Sequence, residues 1–493
     1  MLFNSIEFLV FFPTVVALYY LLPHRFRWVL LLVASYVFYM FWRVDYALIL
    51  VLSTFIDYTC GRMMGRHPEE QRQRRKPWLW LSLLSNLGIL FTFKYFNFFS
   101  SAAQDLAQLL GVTYAAPAFE LLLPMGISFY TFQTISYSID VYYGRVKPEK
   151  HLGIFALFVT FFPQLVAGPI ERAGNLLGQL REKHQFDYQR LTGGLKLMAW
   201  GLFKKVVIAD RLALMVNQVY GNPTDYEGLP LLVATVFFAF QIYCDFSGYS
   251  DMAIGAAQVM GFRLMENFRR PYFSTSIREF WSRWHISLST WFRDYLYIPL
   301  GGNRVVRWRW YYNLFITFLV SGLWHGANWT FLVWGALHGL FLILEVAFAP
   351  QRKSNYSNKN TSPELKKAFR ALGTFALVCL AWIFFRAETI TDASYILTHS
   401  FTGFADSLQI ILGPTSKLQR DYLFLGYSGY TYVLSWLLLF VLVSVELVQR
   451  SRPIRIRLAA APLYLRWSVY NLFVVALIIL GIFSDTAFIY FQF

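Results

Sequence analysis

Three of the chain's eight histidines stand in surroundings that suit proton transfer. His285 closes the run Arg278-Glu279-Phe280-Trp281-Ser282-Arg283-Trp284-His285 and is followed by Ser287, Ser289, Trp291, Arg293 and Asp294. That segment is too charged to face lipid and too aromatic for an ordinary loop, so it reads as an amphipathic element at an interface or a cavity floor. His325 ends an apolar run in Gly322-Leu323-Trp324-His325-Gly326-Ala327-Asn328, and His338 follows thirteen residues later in Trp334-Gly335-Ala336-Leu337-His338-Gly339. Glycines beside both permit close approach of a helix or a ligand. An imidazole in apolar surroundings stays neutral because desolvation disfavours its cation, and a neutral imidazole can take a proton from an attacking hydroxyl. The plainer alternative for each is a histidine that bridges helices through a hydrogen bond. His24, His67, His151, His184 and His399 fall in loops or near span ends, where a solvated role is the default. Cys60, Cys244 and Cys379 show neither a metal-ligand spacing nor an obvious disulfide pair, and no metal site is expected. The chain lacks a Gly-x-Ser-x-Gly elbow, a phosphate-binding loop and a His-Glu-x-x-His helix, so the common soluble hydrolase, NTPase and metalloprotease readings have no support.

The elements that must position these groups are membrane helices. Of the 493 residues 57% are hydrophobic, 19% aromatic and only 15% charged, far from the roughly one-quarter charged residues of a soluble domain. Apolar runs of about 17 to 25 residues recur along the whole chain, each able to cross about 30 Å of hydrocarbon. The net charge of +16 sits in short loops and forms no stripe suited to nucleic acid. It reads instead as a topology signal. Arg62, Arg66, Arg72, Arg74, Arg75 and Lys76 mark the segment 61–77 as cytoplasmic, and the segment 101–119, with no Lys or Arg, as external. Arg352, Lys353, Lys359, Lys366 and Lys367 mark a second inner loop, and Arg450, Arg452, Arg455, Arg457 and Arg466 a third. Arg25 and Arg27 place the N-terminus outside, and the alternation places the C-terminus outside as well. From Leu121 to Leu300 the pattern is less regular, interrupted by Pro124, Pro163, Pro169, Pro271 and Pro299 and by Lys204, Lys205, Asp210, Asp245 and Asp251. Broken backbone and charge at membrane depth belong against protein or a wet cavity, so this region is expected to wall a polar funnel; surface-lying amphipathic helices are the alternative.

Several stretches together resemble the membrane-bound O-acyltransferase family, in the branch of bacterial alginate and peptidoglycan O-acetylation proteins. They are the run 243–255 (Tyr243-Cys244-Asp245-Phe246-Ser247-Gly248 onward), the run 280–291 around Arg283-Trp284-His285, and Trp324-His325-Gly326, with further matches at 124–132, 167–169 and 300–304. The likeness reaches from the N-terminus to about Arg386. It implies an all-α polytopic membrane protein, a ring of about 11–13 transmembrane and re-entrant helices around a central funnel. It further implies that His325 is the catalytic histidine and His285 the second histidine of the site. Asp245, Arg283, Trp324, Asn328 and His338 are the residues expected to support them. The activity implied is transfer of an acyl group, acetyl above all, from a cytoplasmic thioester such as acetyl-CoA to an exported polysaccharide. No bound cofactor is implied. An external esterase-like partner, membrane lipid and the polysaccharide are the expected associates, in the cytoplasmic membrane of a bacterium.

Residues 1–484 thus read as one integral acyltransferase domain and 485–493 as an external aromatic tail, with four aromatics among its last six residues. Leaving these rings in water is costly, so the tail should be buried in the protein or anchored in the interfacial aromatic belt. It also resembles the aromatic C-terminal motif of the small membrane partner of D-alanylation systems, which makes Tyr490 a candidate carrier of the acyl group. A rival reading of the whole chain is a transporter or flippase for a polysaccharide or lipid-linked substrate, since interrupted spans also mark transport sites.

Overall fold

The computed structural model describes residues 1–115, 117–119, 122–348, 363–403, 422–450, 454–483 and 488–489. All regular structure among them is helical. Among the described residues seven helices are long and apolar enough to cross a bilayer: Ala47–Met64, Glu69–Leu109, Leu229–Met260, Trp329–Ala347, Glu364–Arg386, Gly429–Val448 and Leu463–Leu480. The distribution of side chains is that of a protein solvated by lipid. Ile6, Leu21, Leu48 and Ile479 expose most of their surface, which water would penalise and hydrocarbon does not. The protein is therefore an all-α, multi-pass membrane protein.

The chain forms two compact units, Met1–Ala199 with Tyr249–Glu266 and Trp200–Gly248 with Asn267–Phe493. In the first, Ala47–Met64, Arg72–Leu90 and Ile127–Tyr142 pack around a buried carboxylate. Ser82 Oγ donates to Asp57 at 2.5 Å, and the Asn86 amide donates to both Asp57 oxygens at 2.9 Å. Thr134 Oγ donates in turn to Asn86 Oδ1 at 3.0 Å. Satisfied in this way, a carboxyl group can stay inside a helical bundle.

Two expected loops are shorter than the basic pattern suggests. Helix begins already at Arg72, with Pro77 inside it, and on the far side helix continues to Leu109. Arg75, counted among the topology charges, is buried and donates to the carbonyls of His67, Val141 and Tyr142. In this way it ties the last turn of Ile127–Tyr142 to the segment that precedes Arg72.

In the second unit, helices Arg307–His325 and Trp329–Ala347 form a tight antiparallel hairpin. A Cβ on Gly322 would lie 2.2 Å from the Phe331 carbonyl oxygen, and one on Gly335 would lie 2.4 Å from that of Phe318. Only glycine allows this approach, the small-residue contact by which membrane helices associate. His325 and His338 each stand three residues beyond one of these glycines and so share its helix face.

The middle region departs from expectation at one place. Asp245 and Asp251 do not interrupt a span; they lie in Leu229–Met260, a continuous helix of 32 residues. The charge of Asp245 is tolerated because Lys205 neutralises it at 2.7 Å. The backbone irregularity falls instead at Phe203–Ala209, a π-helical stretch that carries Lys204 and Lys205, and at Arg293–Tyr297. Such stretches are frequent at functional sites.

Candidate functional site

His285 is held by its backbone before its side chain comes into play. The helix Ile277–Trp281 starts at Ser276, whose hydroxyl accepts the Glu279 amide at 3.1 Å, and the carboxylate of Glu279 accepts the Thr275 amide at 2.7 Å. After it the chain turns, and His285 adopts φ +42°, a left-handed conformation that costs a residue with a Cβ about 1 kcal/mol or more. The segment around Asn267 holds it there. Arg269 N–H donates to the Arg283 carbonyl at 2.9 Å, Ile286 N–H to the Asn267 carbonyl at 3.0 Å, and Ser287 Oγ to Asn267 Oδ1 at 2.7 Å. Asn267 and Ser287 are fully buried. Strain retained in this manner points to a side chain whose direction matters.

The strained turn aims a fully buried imidazole at His325, with the two ring centroids 6.4 Å apart. Phe246 meets the His285 ring edge-on at 4.6 Å, and Trp324 lies 6.0 Å from it. His325, 3% exposed, is the last residue of its helix; its ring lies against Trp324 at 5.0 Å, Trp334 at 4.9 Å and Phe385 at 5.3 Å. Both imidazoles are thus enclosed by protein and aromatic rings. Two imidazoles in an aromatic enclosure can accept a proton from a hydroxyl or donate one to a developing oxyanion.

The other expected site residues take several places. Trp324 belongs to the enclosure. His338 lies one layer away, its ring 4.9 Å from Trp334, and its Nδ1 accepts Trp281 Nε1–H at 3.3 Å, a bridge between two helices. Arg283 pairs with Glu279 at 2.5 Å and so braces the turn that leads into His285. Asn328 caps Trp329–Ala347, accepting the Thr330 amide at 3.1 Å and donating to the Glu388 carbonyl at 3.0 Å. Asp245 does not hold a histidine in the way expected of it. One oxygen meets Lys205, which also meets Asp210 at 2.8 Å, and the other accepts the backbone N–H of Ile489 at 2.8 Å.

That last contact brings the C-terminal segment into the unit. Phe488 and Ile489 are buried, and the Phe488 ring lies 5.7 Å from Phe246, the residue that abuts His285. Tyr490 and residues 491–493, like 484–487, lie outside the described residues.

Phe246 and Trp334, quoted within motifs but given no role there, and Asn267 and Phe385, which the sequence did not point to, form or brace the enclosure. Sequence reasoning also passed over Glu446, buried in Gly429–Val448 and bonded to the Tyr243 hydroxyl. An acidic residue within an apolar span is a signal that could have drawn attention to it.

Residues 151–386, which include both histidines, match the model of the membrane-bound O-acyltransferase family. The chain is 44% identical over 395 residues to the probable alginate O-acetylase of Pseudomonas aeruginosa, covering 80% of this chain and 73% of that one. It is 39% identical to the probable alginate O-acetylase of Pseudomonas putida along the whole of both chains. It is 36% identical over 394 residues to the peptidoglycan O-acetyltransferase of Helicobacter pylori, covering 74% and 72%. With both the family match and similarity of this extent, the chain belongs to the membrane-bound O-acyltransferase family.

Proposed function

We propose that this enzyme transfers an acetyl group from a cytoplasmic thioester, acetyl-CoA, through the membrane to a hydroxyl of an exported polysaccharide, and that His325 and His285 carry the chemistry. The observation that bears most weight is the pair of buried imidazoles 6.4 Å apart in an aromatic enclosure. His325 accepts the proton of the attacking hydroxyl, whose oxygen forms a bond to the thioester carbon. His285, neutral and fixed by its strained turn, donates a hydrogen bond to the tetrahedral oxyanion. The carbon–sulfur bond then breaks and the thiolate takes back the proton from His325, leaving an ester and free coenzyme A.

The first acceptor in this reading is the Tyr490 hydroxyl. A phenol, with a pKa of about 10, is a better leaving group than an alkyl alcohol, so a tyrosyl ester keeps its transfer potential for the next hydroxyl. An exported serine-dependent esterase-like partner then receives the group and passes it to the polysaccharide. The enzyme works in the cytoplasmic membrane of a bacterium with both termini outside. The relatives named as alginate and peptidoglycan O-acetylases support a polysaccharide acceptor of this kind.

The test is the acetyl content and the amount of exported polysaccharide, measured by mass analysis in cells with and without the gene. Loss of acetyl groups with unchanged export is the expected result. Loss of export with normal acetylation would instead favour the transporter reading.

Within the site, His285→Ala is expected to reduce turnover more than His338→Ala, because His338 stands one layer behind the enclosure, against Trp334. Greater sensitivity at His338 in the same transfer assay would reverse their roles. The orientation is tested separately by single cysteines. Those near Arg74 and Arg455 should be labelled from the cytoplasmic side and one near Ala115 from outside, whereas an external label at either basic segment would overturn the topology.

A further inference from the structure

We infer that Asp245, charged and backed by Lys205, is a latch that fixes the C-terminal segment against the site, and so acts as a positioning residue for whatever follows Ile489. The inference rests on the proposed role of Tyr490 only for its consequence in activity. Hydrogen bonds among the described residues tie the segment to the rest of the second unit, and three of them mark its course. Arg211 donates to the Leu480 carbonyl at 2.6 Å, Ile482 N–H donates to the Val206 carbonyl at 2.8 Å, and Ile489 N–H donates to Asp245 at 2.8 Å. The first two anchor the end of the last span. Asp245 alone among the three grips the segment next to the residue that abuts His285.

The chemistry of this grip is unusual for a mere anchor. A backbone amide bonded to a carboxylate is held about twice as strongly as one bonded to a neutral acceptor. Keeping that carboxylate charged inside a membrane protein requires a counter-ion, and Lys205, only 6% exposed at its side chain, supplies it while sharing its charge with Asp210. An apolar residue at position 245 would avoid the desolvation cost altogether if packing of Phe488 and Ile489 were the whole purpose. The cluster instead defines one register of the tail: Ile489 N–H on Asp245 and the Phe488 ring on Phe246. The chain therefore continues to Tyr490, the next residue, from a fixed point.

The test uses full-length protein carrying Ile489→Cys, with the buried native Cys379, which lies in the same unit as Asp245, as the internal control for folding. With Asp245 intact, the thiol introduced at position 489 should resist a membrane-permeant maleimide. With Asp245→Ala it should react at least tenfold faster while Cys379 stays protected, and polysaccharide acetylation should fall at least tenfold. Asp245→Asn, which keeps an oxygen able to accept the amide of residue 489, should restore much of the protection. Continued protection of the introduced thiol in Asp245→Ala, or release of the tail without loss of acetylation while Tyr490→Phe abolishes it, would overturn the inference. Should Asp245→Ala misfold, as labelling of Cys379 would reveal, hydrogen exchange in the wild-type protein decides: the Ile489 amide should exchange as slowly as amides within the neighbouring spans, and free-peptide exchange would refute the latch. Normal acetylation by Tyr490→Phe would remove the relay and leave the labelling and exchange results standing, so the two failures are distinguishable.

Discussion

Replacing His325 with alanine should lower acyl transfer by about 10²- to 10⁴-fold, the usual worth of a positioned general base. At about 1.36 kcal/mol per decade this is roughly 3 to 5 kcal/mol of transition-state stabilisation, far more than the loss of one ring contact would produce. The loss should fall on turnover, with the apparent affinity for the thioester little changed, because proton abstraction from the hydroxyl is an event of the transition state. The protein should still insert. His325 is the last residue of its helix, and the hairpin is held by the contact of Gly322 and Gly335, not by the imidazole. A substitution that fills the space without basicity, His325→Gln, guards against a packing explanation. It should be as inactive as alanine, yet unfold within a few degrees of wild type. Turnover above about a tenth of wild type in either variant would contradict a base of the expected size.

Tyr490→Phe should abolish polysaccharide acetylation although it removes a single oxygen. Phenylalanine preserves the aromatic surface, so a tail that served only as an anchor would tolerate the change. The buried neighbours Phe488 and Ile489 and the amide held by Asp245 put the preceding residues beside the wall of His285. In protein isolated from cells lacking the downstream acceptor, an acetyl adduct should be found on the peptide containing Tyr490 and should vanish in His325→Ala. Normal acetylation by Tyr490→Phe would mean that the tail anchors and does not carry.

The two histidines were legible in the sequence because each lies in a short local motif whose aromatic and glycine neighbours are unlike those of an ordinary span. The glycines were legible for the same reason, and their role in helix approach is visible at Gly322 and Gly335. What brings the histidines together was not legible. The enclosure needs Phe246, Phe385 and Trp334 from three separate helices, and Asn267 stabilises the turn from outside the motif it serves. Pairing at such separations depends on tertiary packing, which no local spacing encodes. Asp245 shows the same limit from the other side. As a charge in an apolar run it suggested a broken helix, whereas Lys205, forty residues earlier in the chain, makes an unbroken one possible. The tail was read as buried or belted from the cost of wetting its rings. Phe488 and Ile489 are buried, and the backbone contact that registers them could not be inferred from side-chain type.

The most direct measurement places the purified enzyme in sealed proteoliposomes of known orientation, adds acetyl-CoA labelled in the acetyl group on the face that carries the basic loops, and supplies the esterase-like partner and the polysaccharide only on the other face. Labelled acetyl ester is expected across the membrane with coenzyme A released on the side of addition, and both signals should disappear in His325→Ala. Acetylation of the polysaccharide by His325→Ala at the wild-type rate, or passage of intact acetyl-CoA through the vesicle wall, would contradict this mechanism.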